Sequence, residues 1–241
     1  MATDINEKSY HRQLRPFAWL AKRPVTFFSI ASLIFGLILL AAAPPLRGPD
    51  ETAHFLRAYG VGTGDIIPSS VDADGRKGIF LPQPFYRQFR VFDAWQRSEN
   101  RRDNFSYRRV FNDYTQTDLT DGDASRLIFV PYEGSEGYSA VAYIPHALAA
   151  AVAHAAGLGF LETFYLMRAM GLLTMTAVLA YAIALSPTLN WAFVAVSMLP
   201  SALYGRAVIN ADAAALAFSL VAIASGIAAP PPPSCRRELR S

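Results

Sequence analysis

Ionisable side chains are spread so unevenly along this chain that their distribution decides its fold class. Between Ser139 and Cys235 only Glu162, Arg168, Arg206 and Asp212 are Asp, Glu, Lys or Arg. The remaining charges lie near the N-terminus, in Arg47–Glu136 and in the last few positions. A soluble globule carries charge along its whole length, so that class is excluded, as is a disordered chain. The one cysteine, Cys235, excludes an internal disulfide scaffold. Averages conceal this pattern. At 52% hydrophobic and 17% charged, the chain departs only modestly from soluble domains, which are roughly 45–50% apolar and about 25% charged. Its net charge of +3 sums over compartments that a membrane separates and gives no argument for nucleic acid as a partner.

Pro24 to Ala43 is uncharged. About 20 helical residues at 1.5 Å each cross the ~30 Å hydrocarbon layer. Lys8, Arg12, Arg15, Lys22 and Arg23 precede this run, so residues 1–23 are expected in the cytoplasm and Pro44 outside. Ala41-Ala42-Ala43 would also suit signal-peptide cleavage, but the long N-terminal region and the immediate Pro44-Pro45 favour an uncleaved anchor. Further apolar runs lie near Phe164–Leu185, Asn190–Tyr204 and Ala211–Ala229. Ser139–Leu158 is a weaker candidate, rich in alanine and carrying Tyr143, Pro145, His146 and His154. If it spans, there are five crossings and the basic tail Arg236–Arg240 is outside. If it is interfacial or re-entrant, there are four and the tail is inside, in line with the positive-inside rule.

The expectation is therefore an all-α integral membrane protein, a multi-span helical bundle of four or five spans with one large extracytoplasmic loop after the first. Its parts are a cytoplasmic N-terminus (1–23), a first transmembrane helix (24–43), the loop (44–137), an interfacial or re-entrant helix (138–160), three transmembrane helices (161–229) and a proline-rich, basic tail (230–241). Within the loop, Asp50–Gly60 reads as a helix that follows Pro49 and ends at a glycine. Pro84–Gln96 carries Phe85, Phe89, Phe92 and Trp95 at helical spacing, a stripe expected to pack on the loop's own core or on the membrane surface. Asn100–Asp123 reads as irregular.

The densest set of polar groups follows the first span: Pro-Pro-Leu-Arg-Gly-Pro-Asp-Glu-Thr-Ala-His-Phe-Leu-Arg-Ala-Tyr, residues 44–59. On a helix Asp50 and His54 share a face while Glu51 turns about 100° away. A carboxylate there can serve as general base, with histidine holding or tuning it. A divalent metal is compatible with the ligand types but needs more ligands than one turn supplies. Helix capping accounts for the same acids equally well. Arg168 and Asp212 form a second pair. A charge beside a membrane segment suggests function, although snorkelling explains Arg168 and Arg206, and capping explains Asp212. With four spans, Asp50, Glu51, Arg168 and Asp212 all lie at the outer face, where an arginine fork suits phosphate. Asp72-Ala73-Asp74 and Asp121-Gly122-Asp123 read as turns. Asn104-Phe105-Ser106 is only a formal sequon. His146 and His154 read as packing or interfacial groups.

The 44–59 run resembles the start of the DUF2142 family of predicted bacterial membrane proteins. Tyr138, Tyr143 and Pro145 followed by Arg168 look like that family's second block, and Pro200-Ser201 leading to Asn210-Ala211-Asp212-Ala213 like its third. The family in turn resembles the GT-C membrane glycosyltransferases. By that resemblance the chain would transfer sugar from a polyprenyl-phosphate donor at the outer face of the bacterial inner membrane. Asp50 would be the catalytic base with Glu51 its neighbour, His54 supporting them, Arg168 on the donor phosphate and Asp212 a second polar group. The resemblance implies no certain cofactor. Such proteins carry many more spans, and proline 230–233 cannot continue a helix. The chain is therefore expected to be a truncated N-terminal portion that lacks much of the carrier-lipid cavity, which can leave it inactive. Alternatives are a non-catalytic scaffold in envelope assembly and, less favoured because the span centres look nearly charge-free, a transporter subunit.

Overall fold

The computed structural model describes residues 22–97, 106–116 and 123–228. The expectations for residues 1–21, for Asn104 and Phe105, for Asp121 and for the tail 230–241 lie outside them. Helix α1 (Pro24–Ala42) is followed by α2 (Glu51–Gly62), strand β1 (Gly78–Pro82), α3 (Gln83–Arg97), α4 (Tyr107–Gln116) and strand β2 (Leu127–Pro131). Then come α5 (Ile144–Ala155), entered through a 3-10 turn at Ala140–Tyr143, and α6 (Phe160–Leu185), α7 (Asn190–Ser197), α8 (Pro200–Ala207) and α9 (Asp212–Ala228). Prolines at the first turns of α1, α5 and α8 set their starts, where the missing N–H costs nothing.

Two of the described helices, α1 and α6, are long and apolar enough to cross a membrane. A third span exists only if α8 and α9, bent by 119° at their junction, count as one. The expected span at Asn190–Tyr204 is instead two eight-residue helices. Each is about 12 Å long, far short of the hydrocarbon layer. The break falls at Met198–Leu199, because Pro200 disfavours helical geometry in the residue before it. The apolar helix Ala140–Ala155 is also below spanning length.

The fold is mostly but not purely helical. Strands β1 and β2 pair antiparallel with Phe80 opposite Phe129, and α4 occupies part of the stretch expected to be irregular. These elements enclose an aromatic core. Phe85, Phe89 and Phe92 of α3 meet Phe55 of α2 and Phe160 and Phe164 of α6. The aromatic stripe thus packs on the loop's own core, while Trp95 is only half-buried and donates to Asp113.

A second core joins Phe28 of α1, Met175, Leu179 and Ile183 of α6, Phe193 of α7 and Ala213, Ala217 and Leu220 of α9. Helix α6 belongs to both. Its 26 residues extend about 39 Å, so its first two turns enter the aromatic core while the remainder lies along α1. Arg168 sits where the two cores meet. Helix α1 buries only Phe28, Ser32 and Gly36, one stripe at a spacing of four. A Cβ on Gly36 would collide with Leu172, and Ser32 Oγ lies 3.0 Å from Thr176 Oγ1. Small residues and an interhelical hydrogen bond let α1 and α6 approach closely, as apolar helices in lipid require.

Candidate functional site

The chain leaving α1 winds around a single carboxylate. Arg47 N donates to Pro44 O and Glu51 N to Gly48 O, closing two turns. Leu46 and Asp50 both have positive φ, 61° and 49°. Such values are rare for residues with a Cβ and cost stability that the surroundings must offset. At the centre is Glu51, with no exposed surface. Its carboxylate accepts Gly48 N at 2.9 Å and Ile209 N at 2.9 Å. It also takes two bonds from Arg168, Nε to Oε1 at 2.8 Å and Nη2 to Oε2 at 2.6 Å. Gly48 packs closely here, since a Cβ would stand 3.1 Å from the Glu51 side chain and push on it.

Arg168 is equally enclosed. Beyond Glu51 it donates to Leu40 O and Ala43 O, which the end of α1 leaves without intrahelical partners, and to Pro44 O just beyond the helix. Its guanidinium also lies 4.5 Å from the centre of the Phe164 ring. Five N–H groups thus meet five acceptors. The expectation of snorkelling does not fit an arginine with no exposed surface, and a contact to donor phosphate would compete with these five bonds. A phosphate would have to displace Glu51 or a backbone carbonyl. Glu51 is likewise a structural anion here, tying the ends of α1 and α2 and the Ile209 backbone to α6.

The groups that face outward are different ones. Asp50 and Asp212 are exposed. Asp50 precedes α2 in left-handed conformation and makes no side-chain cap. Asp212 starts α9, yet Asn210 does the capping, its Oδ1 accepting Ala213 N at 3.1 Å. His54 is almost buried beneath them. Its Nδ1 lies 2.6 Å from Tyr143 Oη, and Tyr138 meets the ring edge-on at 5.1 Å. Burial pushes the His54 pKa below 6.5, opposed first by the Asp212 carboxylate, then by Asp50 and Glu51. The five residues expected from the sequence therefore gather in one region but divide by function, with Glu51 and Arg168 inside and Asp50, Asp212 and His54 around an open acidic face. The roles of Tyr143, Tyr138 and Asn210 were not anticipated, although all three stand in the motif blocks.

Because His54 is held below 6.5, the neutral ring persists at neutral pH. Stability is unaffected above pH 6.5 and falls as pH drops from 6.5 through the lower folded midpoint, since the unfolded chain then binds the proton more readily. Asp212→Asn is expected to move that midpoint further down by removing the strongest opposing charge. Histidine NMR titration would measure it; an unchanged or raised midpoint would contradict the geometry.

Among the described residues no group of three or more His, Cys, Asp or Glu side chains converges as a metal site. The Asp72 carboxylate accepts Asp74 N and Arg76 N and pairs with Arg76, and Asp123 accepts the Ser125 N–H and hydroxyl. Both are turn-forming carboxylates. His154 meets Tyr59 Oη at 3.2 Å, and His146 packs against Gly171. A model of the DUF2142 family, described as predicted membrane proteins, matches residues 33–239. No curated protein matches the chain, and no solved structure does.

Proposed function

Because the chain belongs to the DUF2142 family of predicted membrane proteins, we propose that its acidic face works as the base site of a GT-C-like glycosyltransferase. The donor would be a polyprenyl-phosphate-linked sugar, used at the outer face of the bacterial inner membrane, with the N-terminus cytoplasmic and the chain crossing more than once. The observation that carries this reading is the exposed Asp50 carboxylate held in left-handed conformation beside a neutral His54. Asp50 takes the proton of an acceptor hydroxyl. His54, fixed by Tyr143, orients the acid, and Asp212 adds negative charge that favours the developing cationic sugar. Glu51 and Arg168 support the site from beneath rather than touching substrate.

The assay is transfer of labelled sugar from polyprenyl-phosphate donors in membrane vesicles carrying the chain. Asp50→Ala is expected to abolish transfer at normal expression. Wild-type vesicles that transfer nothing, or an Asp50→Ala variant as active as wild type, would remove the proposal. A non-catalytic scaffold is the second reading; the fully satisfied Glu51–Arg168 knot favours it, being built for rigidity.

A further inference from the structure

We propose that the helix bundle contains an oxyanion-binding site centred on Arg206, with Ser32 and Thr176 as its polar wall. This site is separate from the acidic face and does not rest on the function proposed for it.

Arg206 lies in the last turn of α8 and is 1% exposed. Only its Nη2 has a hydrogen-bond partner, Ser32 Oγ at 3.2 Å. Its Nε and Nη1 have none, and among the described residues no carboxylate pairs with it. The Phe28 ring, 5.5 Å from the guanidinium carbon, returns part of the lost hydration as a cation–π contact. Arg168 provides the internal control, a buried arginine of the same bundle with every N–H satisfied.

Depth sharpens the anomaly. Ser32 has eight residues of α1 before it and ten after, about 12 Å and 15 Å along the axis. A guanidinium beside it stands near the middle of a spanning helix, where an unmatched charge is costly and marks a functional group. The bundle core is therefore not charge-free. Arg206 cannot snorkel from there, contrary to the expectation from sequence.

The unpartnered Nε and Nη1 carry three N–H donors in a fixed plane, and with the Ser32 hydroxyl and the Thr176 hydroxyl bonded to it they suit the oxygens of a phosphate-type anion. A lone carbonyl or a water would leave the charge uncompensated. Entry requires α8 to shift. That helix is eight residues long and bounded by the break at Met198–Leu199 and the 119° bend before α9. The anion comes either as free phosphate or as the headgroup of a lipid, and the probes separate the two.

The test uses the full chain in phosphate-free maltoside micelles. Thermal unfolding is followed with inorganic phosphate, with phosphatidic acid, and with diacylglycerol as the tail without the phosphate. Inorganic phosphate or phosphatidic acid is expected to raise the unfolding midpoint, and diacylglycerol to leave it unchanged. Arg206→Met is expected to fold, because replacing an unpaired buried charge with an apolar side chain of similar size is tolerated. It should bind the active probe at least about tenfold more weakly. Thr176→Val, which keeps the arginine, should weaken binding less. Stabilisation by phosphate alone assigns a free anion, and stabilisation by phosphatidic acid alone assigns a lipid headgroup; either supports the site. No response of wild type to either probe, or equal binding by Arg206→Met, overturns it.

Discussion

Arg168→Met is expected to cost the folded protein about 3–5 kcal/mol, the usual result of stripping one partner from a buried ion pair. Glu51 would be left with two backbone N–H donors and no cation in a site with no exposed surface. The carbonyls of Leu40 and Ala43 would lose their donor as well, while Pro44 O would keep only the Arg47 N–H. Against a total of about 5–15 kcal/mol for a typical domain, that is a large fraction. Arg168→Lys should fail nearly as badly, since three donors on a flexible stem cannot replace five in a plane. Combining Arg168→Met with Glu51→Gln should restore part of the loss, because the neutral amide no longer demands a cation; the double-mutant cycle then gives the coupling. Denaturant unfolding in micelles measures all of this. A single Arg168→Met variant as stable as wild type would show that the knot contributes nothing.

The knot also explains what the sequence could and could not disclose. Residues 44–59 are legible because a dense local motif names its own polar groups. What the motif does not state is which of two adjacent acids turns inward. That is decided by partners 117 and 158 positions away, Arg168 and the Ile209 N–H. Arg206 departs from its sequence expectation for a related reason. Its neighbours in sequence place it at a helix end, whereas its neighbours in space, Ser32 and Phe28, place it deep along α1. The strand pair was hidden because two five-residue apolar runs, Gly78–Pro82 and Leu127–Pro131, lie far apart in sequence instead of being joined by a tight hairpin turn that would announce pairing. The broken helix at Pro200 was the one departure that local chemistry did signal.

Asp50→Gly is expected to separate stability from activity more cleanly than any other substitution. Asp50 has φ 49° and ψ 21°, a conformation glycine adopts freely and residues with a Cβ adopt at a cost of roughly 1 kcal/mol. Its side chain caps nothing and is exposed, so removing it sacrifices no packing. The glycine variant should therefore be as stable as wild type or up to about 1 kcal/mol more stable, offset in part by the entropy of the freer unfolded chain. Transfer of sugar should fall about 100- to 10,000-fold, the usual contribution of a general base. Asp50→Asn should lose activity to a similar extent with unchanged stability, since asparagine tolerates left-handed geometry. Asp50→Val should lose both, because a β-branched residue does not fit that backbone. A carboxylate kept only for structure would give the opposite pattern, with stability falling in Asp50→Gly and transfer persisting in whatever protein remained folded. Parallel unfolding and transfer measurements on the three variants decide between a strained acid retained for chemistry and a residue of the α2 entry turn.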